Sequence, residues 1–327
     1  MIFMQLESET TSTEVLAEIP PETQRAKRIL KNTGWTVFSL FCLLFFTLLK
    51  LPDDRIKNYI DGQIATQLAP KGITYTSKES KFSLFFGPKY TLSGVTLNFP
   101  SPNTLPAKID TIEISPSVFA LLLGKFSGTL NITVGESSLS CSFSLKNTQI
   151  SLSFQSKKMD FGKLGVLPLI ANIQGSGVLD GNGNLSGDFS TPSTLEGNVN
   201  LKLSRVTLEQ QMLYGFSIPK ILISEGIIEI DIEKAKARIK SFRIGHPTNP
   251  ATLADDIQGT ISGDMTLAKF WEMSNLNLKL NFSFSEGLMK SFILLDAILG
   301  AGKQANGSYG FSLTGPLSSP IPTPLAP

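Results

Sequence analysis

Apolar and polar residues alternate one by one through much of this chain, and a period of two admits strands with one dry and one wet face. The longest run is Leu276, Leu278, Leu280, Phe282 and Phe284, separated by Asn277, Lys279, Asn281 and Ser283. Leu130, Ile132 and Val134 obey the same rule, as do Leu139, Cys141, Phe143 and Leu145, then Ile150, Leu152 and Phe154. Val199, Leu201 and Leu203 continue it, and Ile228, Ile230 and Ile232 alternate with Glu229, Asp231 and Glu233. One-sided strands of this kind belong in antiparallel sheets. The expected fold is mainly β: a long antiparallel meander over residues 72–315, a curved sheet or groove with a few short helices. Asp180-Gly181-Asn182-Gly183 sits between two short runs and reads as a hairpin loop. Gly128, Gly177 and Gly197 each precede an alternating strand. Asn184-Leu185-Ser186-Gly187-Asp188-Phe189 is echoed by Thr260-Ile261-Ser262-Gly263-Asp264-Met265, each copy preceded by a glycine. This is either ordinary turn vocabulary or a loose repeat.

Helical spacing occurs in places. Over residues 53–70, Ile56, Ile60, Ile64 and Leu68 recur every four residues, with Asp53 or Asp54 at the start and Pro70-Lys71-Gly72 at the end. This predicts an amphipathic helix that lies on a membrane surface or covers one end of a sheet. Ser115-Pro116 before Val118 to Leu123, closed by Gly124, carries an N-cap, a first-turn proline and a terminal glycine. Leu288, Phe292, Leu295 and Leu299 form another stripe, closed by Gly300. Gly162 to Ile170 is a further candidate, interrupted by Pro168. Residues 316–327 hold five prolines and read as an extended or disordered tail.

From Thr33 to Leu49 no charged residue occurs. At 1.5 Å per residue this run spans about 26 Å, close to the hydrocarbon thickness of a bilayer. Trp35, Phe38, Leu40, Phe41, Leu43, Leu44, Phe45, Phe46, Leu48 and Leu49 would form a single transmembrane anchor within residues 25–51. Arg25, Lys27, Arg28 and Lys31 precede it, which places the N-terminal side in the cytoplasm. A cleaved signal peptide is the rival reading. Leu48-Leu49-Lys50-Leu51-Pro52 lacks the small residues a cleavage site needs, so an uncleaved anchor is expected, with everything beyond residue 52 outside the cytoplasm. Residues 1–24 carry five glutamates and no basic residue and read as a disordered acidic cytoplasmic tail.

Catalytic chemistry is thin. His246 is the single histidine, set in Gly245-His246-Pro247-Thr248-Asn249-Pro250, a turn. Cys42 lies in the apolar run and Cys141 in a strand, so neither a disulfide nor a His/Cys metal site is expected. Gly175-x-Gly177 and Gly181-x-Gly183 lie among strands rather than opening a helix, and so read as turn glycines rather than a nucleotide loop. Asp255-Asp256 follows Asn249-Pro250 in a loop and is expected to be solvated. No phosphate-loop, zinc-protease or nucleophile-elbow motif occurs. No enzyme activity, cofactor or metal is expected, and a net charge of +2 with 17% charged residues gives no footprint for nucleic acid. What remains is a surface. An apolar sheet face either closes into a core, docks other proteins, or cradles acyl chains; Leu276, Leu278, Leu280, Phe282 and Phe284 are its candidate lining.

A resemblance adds to this reading. Ala305-Asn306-Gly307-Ser308-Tyr309-Gly310-Phe311-Ser312-Leu313-Thr314-Gly315-Pro316-Leu317-Ser318-Ser319-Pro320 is similar to the closing pattern of the type II secretion system protein N family: a glycine, an aromatic strand, Leu-x-Gly-x-Leu, then a proline. Gly94-Val95-Thr96-Leu97, Ile114-Ser115-Pro116-Ser117 leading into Leu121-Leu122-Leu123-Gly124-Lys125, and Leu164 to Leu169 before Gly175-Ser176-Gly177 match in the same order. The Gly94 region and the tethered meander also resemble the AsmA group of envelope proteins. The resemblance implies an accessory subunit of the type II secretion machinery in the Gram-negative inner membrane. Its periplasmic β domain would dock other secretion subunits. The AsmA-like alternative implies a lipid-binding or lipid-transfer module supporting the outer membrane. The acidic N-terminal tail departs from the family's short N-terminus, so no function is carried onto it, and neither family offers catalytic residues to transfer.

Overall fold

The computed structural model describes residues 53–325 apart from 84–86, 101–105, 166, 168–172, 214–215 and 247–254, together with positions 35, 36, 38, 39, 42, 43 and 46. The chain divides into two compact units, residues 1–52 and 53–327. In the first, the described positions are helical, and the Trp35 and Phe38 rings meet edge to face at 5.9 Å. Leu40, Phe41, Leu44, Phe45, Leu48 and Leu49 of the expected anchor lie outside the described residues, as does the acidic tail. No helix among the described residues is long and apolar enough to cross a membrane.

The second unit begins with helix α1 (Asp53–Leu68). The first strands are β1 (Thr74–Thr76), β2 (Glu79–Ser83), β3 (Lys89–Asn98) and β4 (Ala107–Pro116), followed by the short helix α2 (Val118–Leu122). β5 (Phe126–Val134), β6 (Ser137–Lys146), β7 (Gln149–Asp160), β8 (Gly175–Asp188) and β9 (Thr191–Leu208) come next. β10 (Gln211–Leu213) and β11 (Phe216–Ile218) pair with each other as a separate hairpin. The series resumes with β12 (Ile221–Glu233), β13 (Lys236–Ile244), β14 (Ile257–Thr266) and β15 (Asn275–Phe284). Helices α3 (Glu286–Ser291) and α4 (Leu294–Leu299) precede β16 (Tyr309–Pro316) and β17 (Ile321–Pro324). Every strand except β10 and β11 belongs to one antiparallel sheet, each pairing with its neighbour in sequence save that β1 and β2 share β3. The expected meander is therefore observed, and the proline-rich tail contributes its last strand.

Such a sheet has two rims where strands turn. The first carries the turns at 117–125, 147–148, 189–190, 234–235, 267–274 and 317–320; the second is where β5, β7, β9, β13 and β15 end, with turns at 135–136 and 285–308. The only multilayer core among the described residues sits at the β3 end. Tyr90, Leu92, Val95, Ile109 and Val134 are buried there, with Ile60 and Ile64 of α1 packed over them. Burial of this kind stabilises by about 2 kcal/mol per side chain. The helix covers the end of the sheet, one of the two uses its stripe predicts. Asp61 on α1 accepts hydrogen bonds from the Tyr75 and Tyr90 hydroxyls at 3.1 and 3.0 Å, tying α1 to β1 and β3.

Three local expectations are corrected. Asp180, Gly181, Asn182 and Gly183 do not form a hairpin loop; they run through the middle of β8, and Gly175 and Gly177 open the same strand. The stripe from Leu288 to Leu299 is two short helices rather than one, broken at Phe292 and Ile293. The cap of α2 is Ser117, whose hydroxyl accepts from the Ala120 N–H, because Ser115 and Pro116 are still in β4 paired with Thr129 and Gly128.

Candidate functional site: the apolar face of the sheet

Residues directly opposite in an antiparallel pair share a face, so the register maps the sheet row by row. One row passes from Ile114 through Leu130 and Cys141 to Phe154. Beyond Gly183 it reaches Val199, Ile230 and Ile239, and beyond Gly263 it ends on Leu278 and Leu313. The row on one side holds Ile132, Leu139, Leu201, Ile228, Phe242 and Leu280; the row on the other holds Phe143, Leu152, Leu185, Ile232, Met265 and Leu276. None of these three rows contains a charged residue. They cross the sheet from β4 to β16, about 48 Å at roughly 4.8 Å per strand. Leu276, Leu278, Leu280, Phe282 and Phe284, the lining expected from sequence, all stand on this face, from buried Leu276 to half-buried Phe284. No second sheet or helix layer covers the middle of the face among the described residues. Its side chains are half-buried by one another.

Glycines shape this face. Gly181, Gly183, Gly197, Gly259, Gly263 and Gly315 all stand on it. A Cβ at Gly183 would lie 2.4 Å from the Phe154 ring, and one at Gly259 would lie 2.2 Å from the Phe282 ring. Each ring thus lies over the glycine of a neighbouring strand and fills the space a side chain there would take. The echo noticed in the sequence has the same physical content in both copies. Gly183 and Gly259 accept a ring, while Gly187 and Gly263, four residues on, have φ of +138° and +122°.

A crease runs across the strands nearer the second rim. Buried residues along β3 step by two from Tyr90 to Leu92 and then by three to Val95, across Gly94 at φ +61°. The same step occurs from Ser156 to Met159 across Lys158 (φ +47°), and from Leu203 to Val206 across Arg205 (φ +52°). These bulges return apolar side chains to one face while twisting the backbone. Ser137 and Ser156, buried beside the crease, turn their hydroxyls to the carbonyls of Lys158 and Leu179 at 2.6 and 2.9 Å.

The opposite face is wet. Ser140, Ser142, Ser153, Gln155, Asn182 and Asn184 line a shallow hollow of about 360 Å³ on it. Three ion pairs cross strands on it: Lys240 with Asp231 at 2.5 Å, Lys236 with Asp264 at 3.2 Å, and Arg243 with Glu225 at 2.9 Å.

No catalytic constellation emerges among the described residues. Asp255, expected to be solvated, is 4% exposed. Its carboxylate accepts from the Ser224 N–H and hydroxyl and from the His246 N–H, while Asp256 accepts from Leu222 N–H and the Ser285 hydroxyl. The two aspartates tie the β13–β14 turn to β12 and to the cap of α3. A second polar knot lies at the same rim. The Tyr309 hydroxyl donates to Asp296 at 2.6 Å, and Lys303 pairs with the same carboxylate at 2.9 Å. The Tyr309 bond, then Lys303, hold the Asp296 carboxyl below its usual range. Sequence reasoning missed both knots, because their partners are far apart in the chain. Burial pushes the Cys141 thiol up, so it packs as a small neutral hydrophobe. Among the described residues no group of three or more His, Cys, Asp or Glu could hold a metal ion. Compared with protein-family models, with curated proteins and with solved structures, the chain matches none.

Proposed function

We propose that the protein is a membrane-anchored lipid-handling module, whose uncharged sheet face takes up acyl chains. The observation that carries this reading is the run of three charge-free rows from β4 to β16 with no second layer over its middle. An apolar surface of that extent is costly to leave against water, and a long charge-free face with polar backing suits a chain-like apolar ligand. The anchor, the cytoplasmic N-terminus and the periplasmic β unit belong to the same proposal, supported by the uncharged run 33–49 and its basic flank. A binding role rather than a catalytic one is supported by Asp255, Asp256 and Asp296, whose carboxylates are engaged in tying strands and helices together. Native mass spectrometry of the gently extracted full chain tests it. Bound phospholipid is expected, and a clean unliganded mass would end the proposal.

A second reading is an accessory inner-membrane subunit of the type II secretion system. It is favoured by residues 305–320, where the resemblance is densest, which form β16 and the turn into β17. In a strain lacking the gene, exported proteins should then accumulate in the periplasm behind an intact outer membrane. Normal secretion with a leaking outer membrane would instead favour lipid handling.

A further inference from the structure

We infer that the first rim of the sheet rests on the lipid bilayer, inserting the apolar loops at 117–125 and 267–274 into its interface. The inference rests on the reading of residues 33–49 as a membrane anchor and is independent of whether the sheet face holds lipid.

The two loops are conspicuous for what they expose. In the first, Phe119 is 82% and Leu122 75% exposed; in the second, Phe270 is 62% and Trp271 67% exposed. Large apolar side chains held in water at turns have no folding role to explain them, and Trp and Phe are the residues that sit best at the depth of lipid headgroups. Lys125 and Lys269 are exposed beside them, as an anionic lipid surface favours, with Glu272 the exposed acid in the second loop.

The second rim also exposes apolar residues, Ile293 among them. What separates the rims is the path of the chain. β1 pairs with the end of β3 near the second rim, Thr74 opposite Asn98, and β2 pairs with its start near the first rim, Ser83 opposite Lys89. The strands after α1 therefore run from the second rim to the first. Gly72, at φ +67°, turns the chain tightly from α1 into β1. α1 then lies back along these strands, its Ile60 and Ile64 packed in the core shared with Tyr75 and Phe82. Its first residue, Asp53, lies about 12 Å before Asp61, on the side of the first rim. The sheet unit thus begins, at Asp53, on the side of the rim that carries Phe119, Leu122, Phe270 and Trp271, and the uncharged run 33–49 precedes it in the sequence. A bilayer is the one surface to which that run also belongs.

The protein has two tryptophans, Trp35 and Trp271. The full chain carrying Trp35→Phe would be reconstituted into nanodiscs of phosphatidylethanolamine and phosphatidylglycerol, leaving Trp271 as the sole reporter. Its emission is expected to be blue-shifted, several-fold protected from aqueous iodide, and quenched by lipids brominated on the acyl chain. A companion with Trp35→Phe, Trp271→Phe and Ile293→Trp reports the second rim and is expected to be quenched by iodide and not by brominated lipid. Emission from Trp271 typical of water, or equal bromolipid quenching at both rims, would overturn the inference. Lipid bound to the sheet face is read separately by mass spectrometry of the same sample, so either proposal can fail alone.

Discussion

Residues decide this sheet mostly through what they leave out. Gly263 has φ +122°, and a Cβ there would lie 2.1 Å from the Asn277 carbonyl oxygen, a backbone atom that cannot swing aside. Gly263→Ala is expected to destabilise the domain by about 1–3 kcal/mol in chemical denaturation. Gly183→Ala should cost less, because the obstructing atoms belong to the Phe154 ring. The opposite opportunity lies at the β12–β13 turn, where Lys234 and Ala235 both have positive φ, 49° and 65°. A two-residue turn of this hand favours Asn-Gly. Lys234→Asn with Ala235→Gly should raise stability by about 1 kcal/mol on the same measurement, since the exposed Lys234–Glu233 pair contributes little. Tyr90 shows the polar counterpart. Burial, then the bond to Asp61, pushes its hydroxyl up to about 12. A raised pKa gives stability that is present below the ordinary value near 10 and lost as pH rises towards 12. Absorbance titration of tyrosinate should therefore show Tyr90 ionising late, and Asp61→Asn should bring that step down.

At the scale of elements, the sheet manages its edges and its rim helices by different devices. β17 reads Ile-Pro-Thr-Pro, and the Leu325 N–H donates inward to the Gly310 carbonyl. Alternate residues point their N–H the other way, so Pro322 and Pro324 occupy the outward positions, where they have no proton to offer. This edge is closed to strand addition, and the opposite edge is formed by the short strands β1 and β2. Docking of partners by strand addition, one route the alternating sequence leaves open, is thus poorly supported. Replacing both prolines with threonine should expose the edge and promote self-association, visible as a concentration-dependent rise in sedimentation coefficient. The helices α3 and α4 are held by Ser285 capping Leu288, by buried Leu288, and by the Asp296–Tyr309 bond. Because the Asp296 carboxyl is held down, its contribution is present above about pH 4 and lost as pH falls through its lower folded value. Amide exchange, corrected for intrinsic rate, should show residues 286–299 loosening before the central strands on acidification, and Tyr309→Phe should remove much of that pH dependence.

For the whole molecule, the proposed lipid role predicts that charge is tolerated on one face of a strand and not on the other. Leu278→Asp should abolish lipid retention at a cost of about 1–3 kcal/mol in stability, whereas Asn281→Asp, on the wet face of the same strand opposite Thr260 and Gly310, should alter neither. Mass spectrometry and denaturation on the purified full chain read both outcomes. The strands β5, β6, β7, β9, β12 and β15, their dry and wet faces and the amphipathic helix at 53–70 were determined by the sequence alone, because period and stop signals act between residues a few positions apart. The candidate lining on β15 was legible for the same reason. What the tertiary structure alone decided concerns residues whose meaning lies across the sheet. Gly181 and Gly183 look like a turn until Phe154 is seen over Gly183. Asp255 looks solvated until Ser224, 31 residues away, is found bonded to it. The crease at Gly94, Lys158 and Arg205 breaks the period of two where the sheet twists, which a rule about neighbouring residues cannot foresee. Alternation dictates which way a side chain points, but only the neighbouring strands determine whether that direction meets a ring, a carbonyl or open space.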